Sequence, residues 1–433
     1  MALRLEDYAL IGDTRTAALV GRDGSIDWLC VPRFDSGAVF AALLDRPSAG
    51  RWLLAPQGGV RRVERRYLPG TVVLETVFET DDGVVRVVDG MPVHGRYPSV
   101  ARMVQGVRGR VPMRMELILR FDYGSIVPWV RSVDGALRAI AGPDAMALLT
   151  DVETVGRDVD GTPATIATFE VDEHQQVPFS LGWFPSNEDC PEDLDAVAGL
   201  VNTEIWWREW TARSTYDGEW AELVHRSALT LKALTYTPTG GIVAAPTTSL
   251  PESLGGVRNW DYRFCWLRDA TFTLLALMTA GYVKEAVAWR DWLLRAVAGD
   301  PADLQIMYWP GGERRLTENE LPWLSGYASS RPVRIGNAAS EQFQLDVYGE
   351  IMDALHQTRR HGIDPDPTAW DLEQVLMGFL ESGWRKPDEG IWEVRGPRRH
   401  FTHSKVMAWV AVDRAVHTVE HLQVEGPIER WQA

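Results

Sequence analysis

Thr71-Val-Val-Leu-Glu-Thr-Val-Phe-Glu-Thr-Asp-Asp-Gly-Val-Val-Arg-Val-Val88 reads as two strands around a tight turn. Its arms, 71–80 and 84–88, are rich in β-branched and aromatic residues, and Asp82-Gly83 tolerates the positive φ that a hairpin needs. The pattern recurs outward from this stretch. Asp-Gly pairs begin at Asp23, Asp82, Asp89, Asp134, Asp160 and Asp217, all before residue 219. Residues 17–20 with 25–31, and 136–140 with 145–152, repeat the strand–turn–strand arrangement. Short strands at such spacing predict a β-sandwich over residues 1–190.

From Pro191 the apolar period lengthens. Pro191-Glu192-Asp193 is expected to open a connecting helix with Val197, Leu200, Val201 and Ile205 at helical spacing, making 191–218 a linker. Helices are then expected at 219–237, 269–281, 283–298, 340–361, 368–384 and 402–423. Long loops rich in Gly, Pro and Trp separate them at 238–268, 299–339 and 385–401. Loops of that length in a compact helical domain usually carry function. The predicted class is multidomain β + α, with residues 219–433 helical.

Lys+Arg number 44 and Asp+Glu 60, a net charge of −16 over 433 residues. That balance repels phosphate backbones and anionic lipid, and no basic patch offsets it. Neither nucleic acid nor a membrane is an expected partner. Cys30, Cys190 and Cys265 are odd in number and far apart, which fits a reducing compartment. The N-terminus lacks a signal-like apolar core, and the stretch 270–283 is too short to span a bilayer, so the cytoplasm is the expected location. Nineteen tryptophans fit either a large aromatic core or a groove for sugar rings.

Familiar nucleotide-binding, serine-hydrolase and zinc-protease motifs are absent. His417 with His421, and His400 with His403, complete no ligand set, so no metal or cofactor is expected. Two loops combine flat faces with fixed charge. In Arg258-Asn-Trp-Asp-Tyr-Arg-Phe-Cys-Trp-Leu-Arg-Asp269, Trp260 and Trp266 offer indoles, while Asp261, Arg268 and Asp269 offer hydrogen bonds to hydroxyls. Asp269 also suits the N-cap of the next helix. In Asp388-Glu-Gly-Ile-Trp-Glu-Val-Arg-Gly396, Glu393 stands among Ile391, Trp392 and Val394. Apolar neighbours would raise its pKa and suit it to general acid work, whereas pairing with Arg395, Arg398 or Arg399 would lower it.

These loops join Glu6-Asp-Tyr-Ala-Leu-Ile-Gly-Asp-Thr-Arg-Thr-Ala-Ala-Leu-Val20, Asp23-Gly-Ser-Ile-Asp-Trp28, Asp303-Leu-Gln-Ile-Met307, Arg331-Pro-Val-Arg-Ile-Gly-Asn337 and His400-Phe-Thr-His-Ser-Lys405. In that order they resemble glycoside hydrolase family 15, its bacterial trehalase and glucoamylase-like branch, along nearly the whole chain. The resemblance implies a β-sandwich followed by an (α/α)6 toroid, and inverting release of glucose from α-glucosidic bonds. By position, Glu393 resembles the general acid, and Arg268 and Asp269 resemble the pair holding the outer hydroxyls of glucose. Trp260, Asp261 and Trp392 would line the same pocket, and His403 and Lys405 would follow as further substrate-binding residues.

The family is longer, and its general base lies in a late loop that nothing here matches. The resemblance therefore implies a C-terminally truncated copy with about half of the toroid. Three functions follow: a trehalose-favouring hydrolase, a glucoamylase-like hydrolase of α-glucans, or a carbohydrate-binding protein without the base. Uncovered helix faces would favour self-association.

Overall fold

The computed structural model describes residues 2–364, 366–422 and 424–433. Antiparallel strands between Tyr8 and Pro185 form two sheets that share one strand, Ser99–Ile118. Its first half pairs with Gly83–Gly90 and Gln176–Pro185, and its second half with Arg51–Pro56 and Thr162–Asp172. The crossing falls at Gly109, where φ is 75° and a Cβ would stand 2.4 Å from the Asp82 carbonyl oxygen. Only glycine fits there. Ile26, Trp52 and Leu54 from one sheet meet Phe78, Val85 and Val87 from the other in one core.

Hairpin turns form at the Asp-Gly pairs beginning at Asp23, Asp82, Asp134 and Asp160. Asp89 does not make one. It lies in a strand opposite Arg102, whose buried Nε donates to its carboxylate at 2.7 Å, so the charge is used to pair a buried cation. Asp217-Gly218 leads into a helix instead.

The first helix, α1 (Ala196–Thr211), is capped by Asp195, which accepts from the Val197 and Ala198 amides at 2.8 and 3.0 Å. The expected start at Pro191 is therefore too early. The expected apolar stripe is also turned outward: Val197, Val201 and Ile205 are exposed, while Leu200, Trp207 and Trp210 are buried. The bulky indoles fix the rotation, with Trp210 stacked on Tyr282 and donating to Glu285 at 2.7 Å.

Helices dominate from there: α2 (Ala221–Ala233), α3 (Leu267–Thr279), α4 (Val283–Ala296), α5 (Asp346–Arg360), α6 (Pro367–Gly383), α7 (Thr402–Leu422) and the short α8 (Ile428–Gln432). The expected helix at 340 begins at Asp346, because residues 342–345 are drawn into contacts with a neighbouring loop. α5 packs between α3 and α7. Trp28, Trp52, Trp207, Trp210, Trp289 and Trp292 are fully buried, so much of the tryptophan serves packing. None of the described helices is long and apolar enough to cross a membrane.

Candidate active site

The three long loops converge over the N-terminus of α3 and enclose a cavity of about 920 Å³. Cys265-Trp266 pairs with Met307-Tyr308, which delivers the chain to α3 with Arg268 and Asp269 in its first turn. Trp266, not Asp269, holds the N-cap position. Asp269 sits where the helix dipole favours a carboxylate. Burial nonetheless pushes its pKa up, opposed by Arg268.

Glu393 ends a turn in which its amide donates to the Gly390 carbonyl at 3.0 Å. Its φ is 50°, a left-handed conformation that a non-glycine residue adopts only when its surroundings fix it. The Trp266 indole N–H and Arg268 Nη2 both donate to Glu393 Oε1, at 2.8 and 3.1 Å. Burial raises the pKa of this carboxyl, and the hydrogen bond from Trp266 and the charge of Arg268 oppose the rise. The arginines that follow in sequence bind elsewhere: Arg395 reaches Glu318 and Arg398 reaches Glu389. Desolvation therefore wins, and the proton stays on to higher pH than usual.

Behind Arg268 lie residues that sequence reasoning missed. Arg268 Nη1 donates to Asp346 Oδ2 and to Gln344 Oε1, both at 3.1 Å. One helical turn on, burial and the charge of Asp346 push Glu350 up to about 8. The available signal was an acidic pair four positions apart in the apolar stretch Asp346-Val-Tyr-Gly-Glu350.

Trp260 and Trp392 both line the cavity, Trp392 standing 83% exposed at its mouth. The Arg334 and Arg395 guanidiniums lie 4.7 and 4.1 Å from the Trp260 ring centroid, and its N–H donates to Glu252 Oε1 at 3.1 Å. Glu318 pairs with both arginines, a second residue that no sequence pattern marked.

Three expected pocket residues stand elsewhere. Asp261 is fully buried, holding Arg263 Nη2 at 2.6 Å and the Gly336 amide at 3.1 Å, which leaves it no face toward the cavity. Lys405 Nζ donates to the Trp384 and Lys386 carbonyls at 2.6 Å and so ties the start of α7 to the end of α6. His403, also in the first turn of α7, is half-buried and absent from the cavity wall.

Comparison with known proteins follows the same lines. A family model described as "Glycosyl hydrolases family 15" matches residues 218–433, and one described as "Trehalase-like, N-terminal" matches residues 1–181. A trehalase of Mycolicibacterium smegmatis is 38% identical over 99% of this chain and 68% of its own length. A trehalase of Mycobacterium tuberculosis is likewise 38% identical, over 99% of this chain and 67% of its own. A trehalase of Thermoplasma volcanium is 33% identical over 99% and 69%. Among solved structures, a bacterial glucoamylase complexed with acarbose superposes with a TM-score of 0.69 at 13% identity, covering 100% of this chain and 65% of that one. This last likeness concerns the fold alone. The chain spans about two thirds of the length of the proteins it matches.

Proposed function

The chain belongs to glycosyl hydrolases family 15, and from that premise we propose that it releases glucose from α-glucosidic bonds, with trehalose the favoured substrate and Glu393 the general acid. One observation carries the chemistry: a partly desolvated carboxyl faces a cavity with an indole N–H and a guanidinium on the same oxygen. Burial raises its pKa, so the carboxyl keeps a proton for the glycosidic oxygen to higher pH than an ordinary glutamate would. As the C–O bond breaks, that proton leaves with the departing sugar and Glu393 becomes an anion. Trp266 and Arg268 then stabilise the charge that proton transfer creates. Arg268 and Asp269, on the same wall, are proposed to hold the outer hydroxyls of the glucose, with Trp260 and Trp392 beside it. Inversion needs a second carboxylate about 6.5–9.5 Å away to activate water.

The relatives named trehalase support the disaccharide. Action on longer α-glucans is the second reading, favoured by the open mouth at Trp392. The test is glucose release from trehalose and maltose by the chain and by Glu393→Gln. The variant should lose about 10²–10⁴-fold in turnover while still binding sugar. A variant that keeps most of its rate overturns the assignment of the acid. Binding without turnover by the unaltered chain would instead favour a carbohydrate-binding role. The cytoplasm is the proposed compartment, supported by three free cysteines, two of them buried. Self-association is proposed through α7, where Val406 and Trp409 are exposed, and molar mass by light scattering checks it.

A further inference from the structure

A closed ring of hydrogen bonds lies behind Glu393. Arg268 Nη2 donates to Glu393 Oε1 at 3.1 Å, and its Nη1 donates to Gln344 Oε1 at 3.1 Å. Gln344 Nε2 donates to Gln342 Oε1 at 3.0 Å, and Gln342 Nε2 returns to the Glu393 carbonyl oxygen at 3.2 Å. Asp346 Oδ2 takes a further bond from Arg268 Nη1. Gln342, Gln344 and Asp346 are alternate residues of the segment that enters α5. The residues between them hold the same loop by their backbone: the Phe343 amide donates to Glu389 Oε2 at 2.9 Å and the Leu345 amide to Asp388 Oδ2 at 3.1 Å.

We propose that Gln342, Gln344 and Asp346 are positioning residues for the general acid, fixing the Arg268 fork against the Glu393 carboxyl and pinning the turn that carries it. Resting on the reading of Glu393 as the acid, this gives a role to a segment that does not line the cavity. Each residue type suits its place. Asp346 is fully buried, so its charge keeps Arg268 beside it, because separating such a pair strands a charge in a dry site. Sharing the cation between two carboxyls weakens its pull on Glu393. Gln344 offers an acceptor that orients the guanidinium without adding a third negative charge. Gln342 holds the carbonyl of a residue whose φ is 50°. The remaining groups facing this cluster are Tyr262 from the first loop, Asp269 from α3 and Glu350 from α5. Arg334 and Arg395, which also line the cavity, are paired with Glu318.

Two variants push the titration of Glu393 in opposite directions. Asp346→Asn leaves Arg268 with one carboxylate fewer, so the Glu393 midpoint should fall by about one pH unit. Gln344→Glu adds an anion beside Arg268, so the midpoint should rise by a similar amount. The readout is calorimetric affinity for a basic iminosugar, 1-deoxynojirimycin, across pH, each variant measured as its difference from the unaltered chain. The alkaline limb of the pH–rate profile should move with it. Gln342→Ala should lower kcat more than it raises KM, since it loosens the turn and not the sugar contacts. A purely structural role would weaken binding or rate at every pH and leave the midpoint in place. If Asp346→Asn fails to fold, the rise in Gln344→Glu decides alone. If Glu393→Gln leaves the pH dependence of iminosugar binding intact, the acid has been misassigned. If it abolishes that dependence while neither charge variant moves the midpoint, the positioning role alone is overturned.

Discussion

Two arginines five positions apart, Arg263 and Arg268, meet opposite fates. Arg263 is fully buried, with Nε and Nη2 on Asp261 at 2.9 and 2.6 Å and Nη1 on the Ser36 carbonyl at 2.9 Å. Its donors are consumed by protein, and what it does is fasten the loop at 258–269 to the β-sandwich. Arg268 divides its fork between a buried carboxylate behind it and the Glu393 carboxyl at the cavity wall. The two sites contain the same chemistry, an arginine with aspartate. A guanidinium becomes structural when every edge is spent on its own chain, and available for function when one edge still faces a cavity.

The sharpest way to break this comparison is to exchange each arginine separately. Arg263→Met strands the Asp261 carboxylate in the interior and should cost about 3–5 kcal/mol of stability, read by calorimetric or denaturant unfolding. Arg268→Lys keeps a cation beside Asp346 and should cost less than about 1.5 kcal/mol. A lysine cannot span both carboxyls as a planar fork, so turnover should fall out of proportion to stability. Equal stability losses in the two variants would erase the distinction.

A second comparison sets Glu350 beside Glu393, two carboxyls raised by burial, of which only one lines the cavity. Glu350 stands at about 8 in the folded chain against an ordinary 4.5. A raised acid contributes stability that is fully present below the lower value and is lost as pH rises through the upper one. Between about pH 4.5 and 8 its term should weaken the fold by up to about 1.4 kcal/mol per pH unit. Glu350→Gln is neutral throughout, so the difference in unfolding free energy between variant and unaltered chain should grow across that window. A difference that stays flat would show that Glu350 titrates normally.

Much of the fold was legible because hairpins and helices announce themselves locally. Asp134-Gly135 and Asp160-Gly161 supply positive φ at the turn, and that is enough to place a hairpin. Asp89-Gly90 looks the same in sequence and fails, because the buried Arg102 that claims Asp89 is a long-range fact. The same limit governs the site. Glu393 lies in a loop, and Arg268 and Asp269 in the first turn of α3, within stretches whose residues resemble a family's, whereas Asp261 is consumed by its partner Arg263 out of sight of the cavity. Gln342, Gln344 and Asp346 carry no local pattern beyond spacing by two, and their meaning depends on a loop some fifty residues away. The rotation of α1 was misread for a related reason: Val197, Val201 and Ile205 keep helical spacing, yet Trp207 and Trp210 bury more surface and decide the face.

The smallest expected effect compares two adjacent parts of the site, Trp266 and Trp392. Trp266 is buried and its N–H donates to Glu393, so its loss would disturb packing and titration together. Trp392 precedes Glu393 in sequence, yet it stands almost wholly in solvent. Trp392→Ala removes little buried surface and should shift unfolding free energy by no more than about 0.5 kcal/mol. If its ring lies against a sugar at the cavity mouth, affinity should drop by about 0.5–1.5 kcal/mol, the scale of an aromatic contact beyond simple burial. The loss should be larger for a maltooligosaccharide than for trehalose, because a longer chain reaches further across the mouth. Isothermal titration with both sugars checks this, and equal affinity in variant and unaltered chain would remove Trp392 from the binding surface while leaving Trp266 and Glu393 in place.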